Sequence, residues 1–203
     1  GGPAEGYTGG ARAGSGAALS PEEQERVDYG RALRSVQEAA ERRLGPAGLP
    51  DISLDLPNLA LSLRRQFGFS ENSEYADGAA ELDLCGQVAA ALAACNAVLR
   101  DRGEDPLHIA VDGHTWHRQP REEVRERSRR RADRVARDIA AALHRHPDNW
   151  LSGPEVAALF AAAGHGGDHG KGSQVELRVL TPSEARAHRR AAEAAAAAAE
   201  RAE

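Results

Sequence analysis

Residues 107–143 constrain this chain more than any other stretch: LHIAVDGHTWHRQPREEVRERSRRRADRVARDIAAAL. Leu107, Ile109 and Val111 alternate with their neighbours in the manner of a half-buried strand. Gly113 breaks that run, and a polar loop follows with His114, Thr115, Trp116 and His117. From about Arg121 the period becomes helical. Val124, Ser128, Ala132, Val135, Ile139 and Leu143 recur at steps of three and four and make one mostly apolar stripe. A strand therefore delivers a short polar loop to the start of a long amphipathic helix, an arrangement that ligand sites favour.

The flanking segments are punctuated by helix-capping signals. Residues 1–19 are rich in Gly and Ala and read as a flexible linker. Ser20, Pro21 and Glu23 form a capping box with proline at the first helical position, opening a helix that ends before Gly45-Pro46. Its thin apolar face (Val27, Leu33, Val36, Ala40) is expected to pack on the domain or a neighbour. Residues 49–61, interrupted by Pro50 and Pro57, read as an extended arm. Residues 62–69 are expected to be the first sheet strand. A helix over residues 79–102 presents Cys85, Val88, Leu92, Cys95 and Leu99 to the sheet.

Ser152 and Glu155 make a second capping box. The alanines after it favour helix by propensity, a preference that tertiary pairing easily overrides. Residues 174–180 read as the last strand, and Thr181-Pro182-Ser183-Glu184 caps a final alanine-rich helix to Glu203.

Composition narrows the function classes. Apolar residues make up 41% of the 203 residues but aromatics only 4%, so the core must be built from Ala, Leu and Val. A net charge of −5 argues against general nucleic-acid binding. No unbroken apolar run reaches about 18 residues, so no membrane span is expected, and no signal peptide is read in this segment, which could have lost one. The lack of methionine and the Gly1-Gly2 start suggest a segment of a longer protein. Cys85 and Cys95 lie roughly 15 Å apart along one helix, too far to bridge each other, which leaves the redox compartment open.

The central stretch also carries a resemblance. Gly113-His114-Thr115 after an apolar strand, followed by Ser128, Arg131, Ala132 and Val135 at their spacings, resembles the GHTD and LSxxRAxxV pattern of OmpA-like domains. Phe67-Gly68-Phe69-Ser70 resembles that family's first aromatic strand, and Val175-Glu176-Leu177 its last strand. The similarity spans residues 59–180. It implies a two-layer α/β sandwich, a small mixed sheet on two main helices, occupying residues 59–181. Residues 20–58 add a helix and arm, and residues 182–203 a terminal helix. The resemblance also implies a short helical turn and then a strand over residues 156–163.

The family binds peptidoglycan without cutting it. An aspartate after His-Thr faces the ammonium of diaminopimelate, and a helix arginine pairs with its carboxylate, a charge-assisted contact. Here Arg131 keeps the arginine's place, but Trp116 replaces the aspartate, Val124 the asparagine and Arg127 the leucine before Ser128. Gly172-Ser173-Gln174 stands where the late arginines belong. An indole can stack on a cation but cannot supply a carboxylate's charge.

The resemblance therefore implies a non-catalytic cell-wall binding module with a degenerate ligand site of Arg131, Trp116, Thr115, His114 and Ser128. It implies a cell-envelope or extracellular location and no cofactor. The alternative is an interaction domain of a larger protein that has dropped the ligand.

Other constellations have bland readings beside the sharp ones. His114, His117, His165, Asp168 and His169 have zinc-donor chemistry, but a turn and a solvated glycine loop account for them, and no metal is expected. Twice as many arginines as acids lie between Arg118 and His146. They read as a solvated face with i,i+4 pairs rather than a polyanion surface. No nucleophile elbow, phosphate loop or close carboxylate pair points to catalysis.

Overall fold

The structure is a computed structural model that describes residues 18–115, 121–167 and 172–202. Trp116, His117, Arg118, Asp168, His169 and Lys171 lie outside those residues. Along the chain run α1 (Pro21–Leu44), β1 (Ile52–Asp55), a 3-10 turn (Leu56–Asn58), β2 (Ala60–Leu63) and α2 (Gly78–Asp101). Then follow β3 (Ile109–His114), α3 (Arg121–Arg145), α4 (Gly153–Ala157), β4 (Phe160–Gly164), β5 (Gln174–Val179) and α5 (Pro182–Ala202). The five strands form one open mixed sheet in the order β1-β2-β5-β3-β4. Only β3 and β4 pair in parallel, joined by the crossover through α3 and α4. The expected α/β architecture is what the chain adopts.

Alternation on the strands divides the sheet into two faces. Ile109 and Val111 of β3 and Val175, Leu177 and Val179 of β5 join the apolar core with α2 and α3. Helix α2 is the centre of that core: Leu84, Cys85, Val88, Leu92, Cys95 and Leu99 are all buried. It is long and apolar enough to cross a membrane on length and composition, at a mean hydropathy of 1.6. Alanines raise that mean although Asp83, Gln87 and Asn96 interrupt the run. A core helix passes the same test, and 78% of the window is buried. Truncating one of its leucines, Leu92→Ala, costs about 2–5 kcal/mol.

The capping signals resolve as read. Ser20 accepts a hydrogen bond from the Glu23 amide while the Glu23 carboxylate accepts from the Ser20 amide, and Ser152 and Glu155 repeat the arrangement. Leu33, Val36 and Ala40 of α1 join the main core, whereas Val27 is exposed. The helix rests on the 3-10 turn at Gly30, where an added Cβ would lie 2.2 Å from the Pro57 carbonyl oxygen.

Two segments differ from expectation. The arm is paired: β1 forms an antiparallel hairpin with β2, turned by the 3-10 segment and Leu59 in the left-handed region at φ 54°. The strand expected over residues 62–69 is instead Ala60–Leu63, and the chain leaves the sheet at Arg64. Phe67 turns into the core, Phe69 bridges to Tyr75, and the left-handed Ser73 closes the small loop between them. Local alternation could not reveal these choices, because long-range partners settle them. Side-chain amides hold the departures: Gln87 accepts from the Asp51 amide, Gln37 from Leu56, Asn96 from Leu107 and Gln66 from Val175. Each such bond contributes about 1 kcal/mol.

After α4 the alanine run is strand, not helix, because β3 offers its free edge in register from Ile109↔Phe160 to Gly113↔Gly164.

Candidate functional site

Strand β3 ends at His114, and α3 crosses directly above the carboxyl end of the strand. That crossing is close because Gly113 and Gly164 stand side by side in the β3–β4 pair. A Cβ on Gly113 would fall 2.2 Å from the Ser128 carbonyl oxygen, and one on Gly164 would fall 2.4 Å from the Arg129 nitrogen. The two glycines make a flat floor that admits the helix backbone.

Ser128 is fully buried at this crossing. Its hydroxyl donates to the Arg125 carbonyl at 2.8 Å and accepts from the Gly166 amide at 2.9 Å. Thr115 donates its amide to the Gly166 carbonyl at 2.8 Å. Its hydroxyl lies 3.5 Å from the Val124 carbonyl, and the residue is 4% exposed. Both side chains tie α3 and the loops to the sheet.

Arg131 is one turn further along α3 and is 8% exposed. One terminal nitrogen donates to the Ser173 hydroxyl at 2.9 Å and the other to the Ser70 carbonyl at 3.1 Å. The guanidinium carbon lies 5.1 Å from the centre of the Phe69 ring, within cation–π range. Its Nε is buried without a hydrogen-bond partner among the described residues. Burial first, and then the positive charge of Arg127, hold the guanidinium below its ordinary proton affinity. Among the described residues no carboxylate pairs with it. Its neighbour Arg134, by contrast, pairs with Glu74 and with Asp138 and lies over Tyr75. Arg131 is thus a desolvated cation on neutral partners, and an incoming carboxylate is what its chemistry lacks.

His114 does not join Arg131. Gly113 faces α3, so His114 projects from the other side of the sheet. There His165 Nε2 lies 2.8 Å from Asp112 Oδ1, and His114 Nε2 lies 3.4 Å from Glu176. The two imidazoles stack with centroids 5.2 Å apart. Arg178 reaches Asp112 at 3.4 Å and Glu184 at 3.4 Å, and Arg26 meets Glu184 at 2.7 Å. Among the described residues no three His, Cys, Asp or Glu side chains group to hold a metal ion. The metal-reading residues His117, Asp168 and His169 lie outside the described residues, as does Trp116.

Sequence reasoning missed Ser70 and Ser173 as the partners of Arg131, since only the fold brings their loops to α3. It also missed Asp112, Glu176 and Arg178, although period-two alternation on β3 and β5 puts them on one face with His114 and was sufficient to find them. The arginine-rich surface of α3 carries ion pairs of Arg129 with Asp133 and Arg130 with Glu126, each worth about 0.3–0.5 kcal/mol.

No family model and no curated protein matches this chain.

Proposed function

We propose that this domain binds, without chemical conversion, a carboxylate-bearing cell-wall ligand of the peptidoglycan stem-peptide type, with Arg131 as the carboxylate clamp. The observation that carries this reading is the buried Arg131 guanidinium, held by a hydroxyl, a carbonyl and an aromatic face with no anionic partner among the described residues. A carboxylate arriving there makes charge-assisted bonds in a partly desolvated site, worth about 1.5–3 kcal/mol each. The resemblance to OmpA-like domains supplies the class of ligand. Trp116, in place of the family's aspartate, takes the ligand's ammonium end by stacking rather than by charge, so affinity is lower than a carboxylate would give.

The test is a titration of the full chain with diaminopimelate and a stem peptide, with sedimentation on insoluble cell wall in parallel. Tryptophan emission is read in a Trp150→Phe background so that Trp116 alone reports. Saturable binding is expected, lost in Arg131→Ala and, read by sedimentation on cell wall, strengthened in Trp116→Asp. Binding that survives Arg131→Ala, or no binding to wall or peptide, sinks the reading and leaves an interaction domain in its place.

A further inference from the structure

A groove of about 350 Å³ opens between the first turns of α5 and the turn that leads into β3. That size falls within the ordinary range for small-molecule sites. Leu99 and Leu180 give it an apolar floor, Glu104 and Asp105 line the turn side, and Arg186 and Arg189 line the α5 side. Tyr29 of α1 and His108 complete it.

His108 is the residue that points to a ligand. It is 8% exposed, and its Nδ1 is buried with no hydrogen-bond partner among the described residues. Buried side-chain nitrogens in native proteins are nearly always paired. The ring lines the groove, and a turn about its Cβ–Cγ bond presents Nδ1 to a molecule seated there. Burial first, then Arg189 and His188, lower its proton affinity against the opposing pull of Asp105. The ring is therefore neutral near pH 7 and keeps an acceptor nitrogen. Burial, with Glu104 and Asp105, pushes the Tyr29 hydroxyl up to about 12, so it remains a donor.

We propose that this groove binds a free α-amino acid with an aliphatic side chain. Its ammonium faces Glu104, Asp105, the Tyr29 hydroxyl oxygen beside them and the His108 acceptor, its carboxylate faces Arg186 and Arg189, and its side chain lies over Leu99 and Leu180. The two walls carry opposite charge, so a zwitterion is complementary on both sides. A ligand with one charge meets a like-charged wall, which disfavours it. The groove lies at the amino end of β3, whereas Arg131 lies near its carboxyl end, and is independent of the clamp.

The experiment is calorimetric titration of the full chain with L-leucine, with isovalerate and isoamylamine as probes of each charge alone. L-leucine is expected to saturate below about 10 mM. Arg189→Ala and Glu104→Ala, both at exposed positions, are each expected to weaken it about tenfold or more. Arg131→Ala leaves it unchanged, and each single-charge probe binds at least about tenfold more weakly. No saturation by L-leucine, equal binding of either single-charge probe, unchanged affinity in Arg189→Ala and Glu104→Ala, or loss of binding in Arg131→Ala would each overturn the proposal.

Discussion

The two faces of the sheet solve opposite problems. The face under α2 and α3 is apolar, and it admits α3 to backbone contact by means of Gly113 and Gly164. The other face presents Asp112, His114, Glu176 and Arg178, and α5 covers it mainly through Ala185 on Ala110 and Leu180. The first face is held by shape, where a single added carbon meets backbone that cannot yield. The second is held by paired charges at 2.7–3.4 Å, which tolerate adjustment. The difference explains why an unpaired cation matters on one face and not on the other. Arg131 sits at the dry face without a counter-charge among the described residues, whereas Arg178 shares two carboxylates.

The sharpest way to break this comparison is Gly113→Ala. The new Cβ would sit 2.2 Å from the Ser128 carbonyl, and α3 must lift, at an expected cost of about 3 kcal/mol in denaturant unfolding. Gly86→Ala in α2 has nothing within 4 Å of its Cβ. It should instead stabilise by about 1 kcal/mol. If both glycines respond alike, close approach is not what requires Gly113.

On the charged face, Asp112→Asn removes the anion shared by His165 and Arg178. Chemical denaturation should register a loss of about 1–3 kcal/mol, smaller than for Gly113→Ala. A larger loss would mean that this face is as rigid as the other.

The pH dependence of α5 sharpens the comparison further. Burial alone would raise the Glu184 carboxyl, but Arg26, the Thr181 amide and Arg178 outweigh it and hold the group below its ordinary value of 4.5. A depressed carboxylate contributes stability that is present above the unfolded value and is lost as the pH falls through the folded one. The protection of the α5 amides against hydrogen exchange, relative to their intrinsic rates at each pH, should therefore fall as the solution is taken below about pH 4.5. Glu184→Gln should exchange faster at neutral pH and respond less to acid. An unchanged acid response in that variant would remove Glu184 from the docking of α5.

The smallest effect on stability is expected at the proposed clamp. Arg131→Met keeps the packing of the stem and removes a buried charge that has no counter-ion among the described residues, so the unfolding midpoint should move by less than about 1 kcal/mol in either direction. Carboxylate binding should vanish in the same variant. A loss of several kcal/mol instead would show that Arg131 serves the fold through Ser70 and Ser173.

Much of the architecture is legible in local pattern. The capping boxes at Ser20 and Ser152, the stripe from Val124 to Leu143 and the alternation of β3 and β5 are carried by neighbours a few residues apart, where backbone geometry alone sets the period. The hairpin of β1 with β2, the exit of the chain at Arg64 and the strand character of the alanines in β4 are not legible this way. Each depends on a partner strand distant in sequence. The candidate site divides similarly. Arg131 stands out only through the resemblance to the LSxxRAxxV pattern, since by composition it is one of ten arginines between Arg118 and Arg145. Its neutral partners come from residues 69–70 and 173, and the separation of His114 from it depends on which side of β3 each residue occupies.

The sequence by itself determined the long helical segments and where most of them begin. Helical hydrogen bonds, caps and side-chain periods close within a few residues, so they need no distant information. Tertiary structure alone decided that the arm is a strand, that Ser128 packs α3 on the sheet, and that Arg131 is left dry beside a hydroxyl and a carbonyl. Those outcomes rest on contacts between distant segments and on the exclusion of water, which exist only once the sheet and its helices have closed on one another.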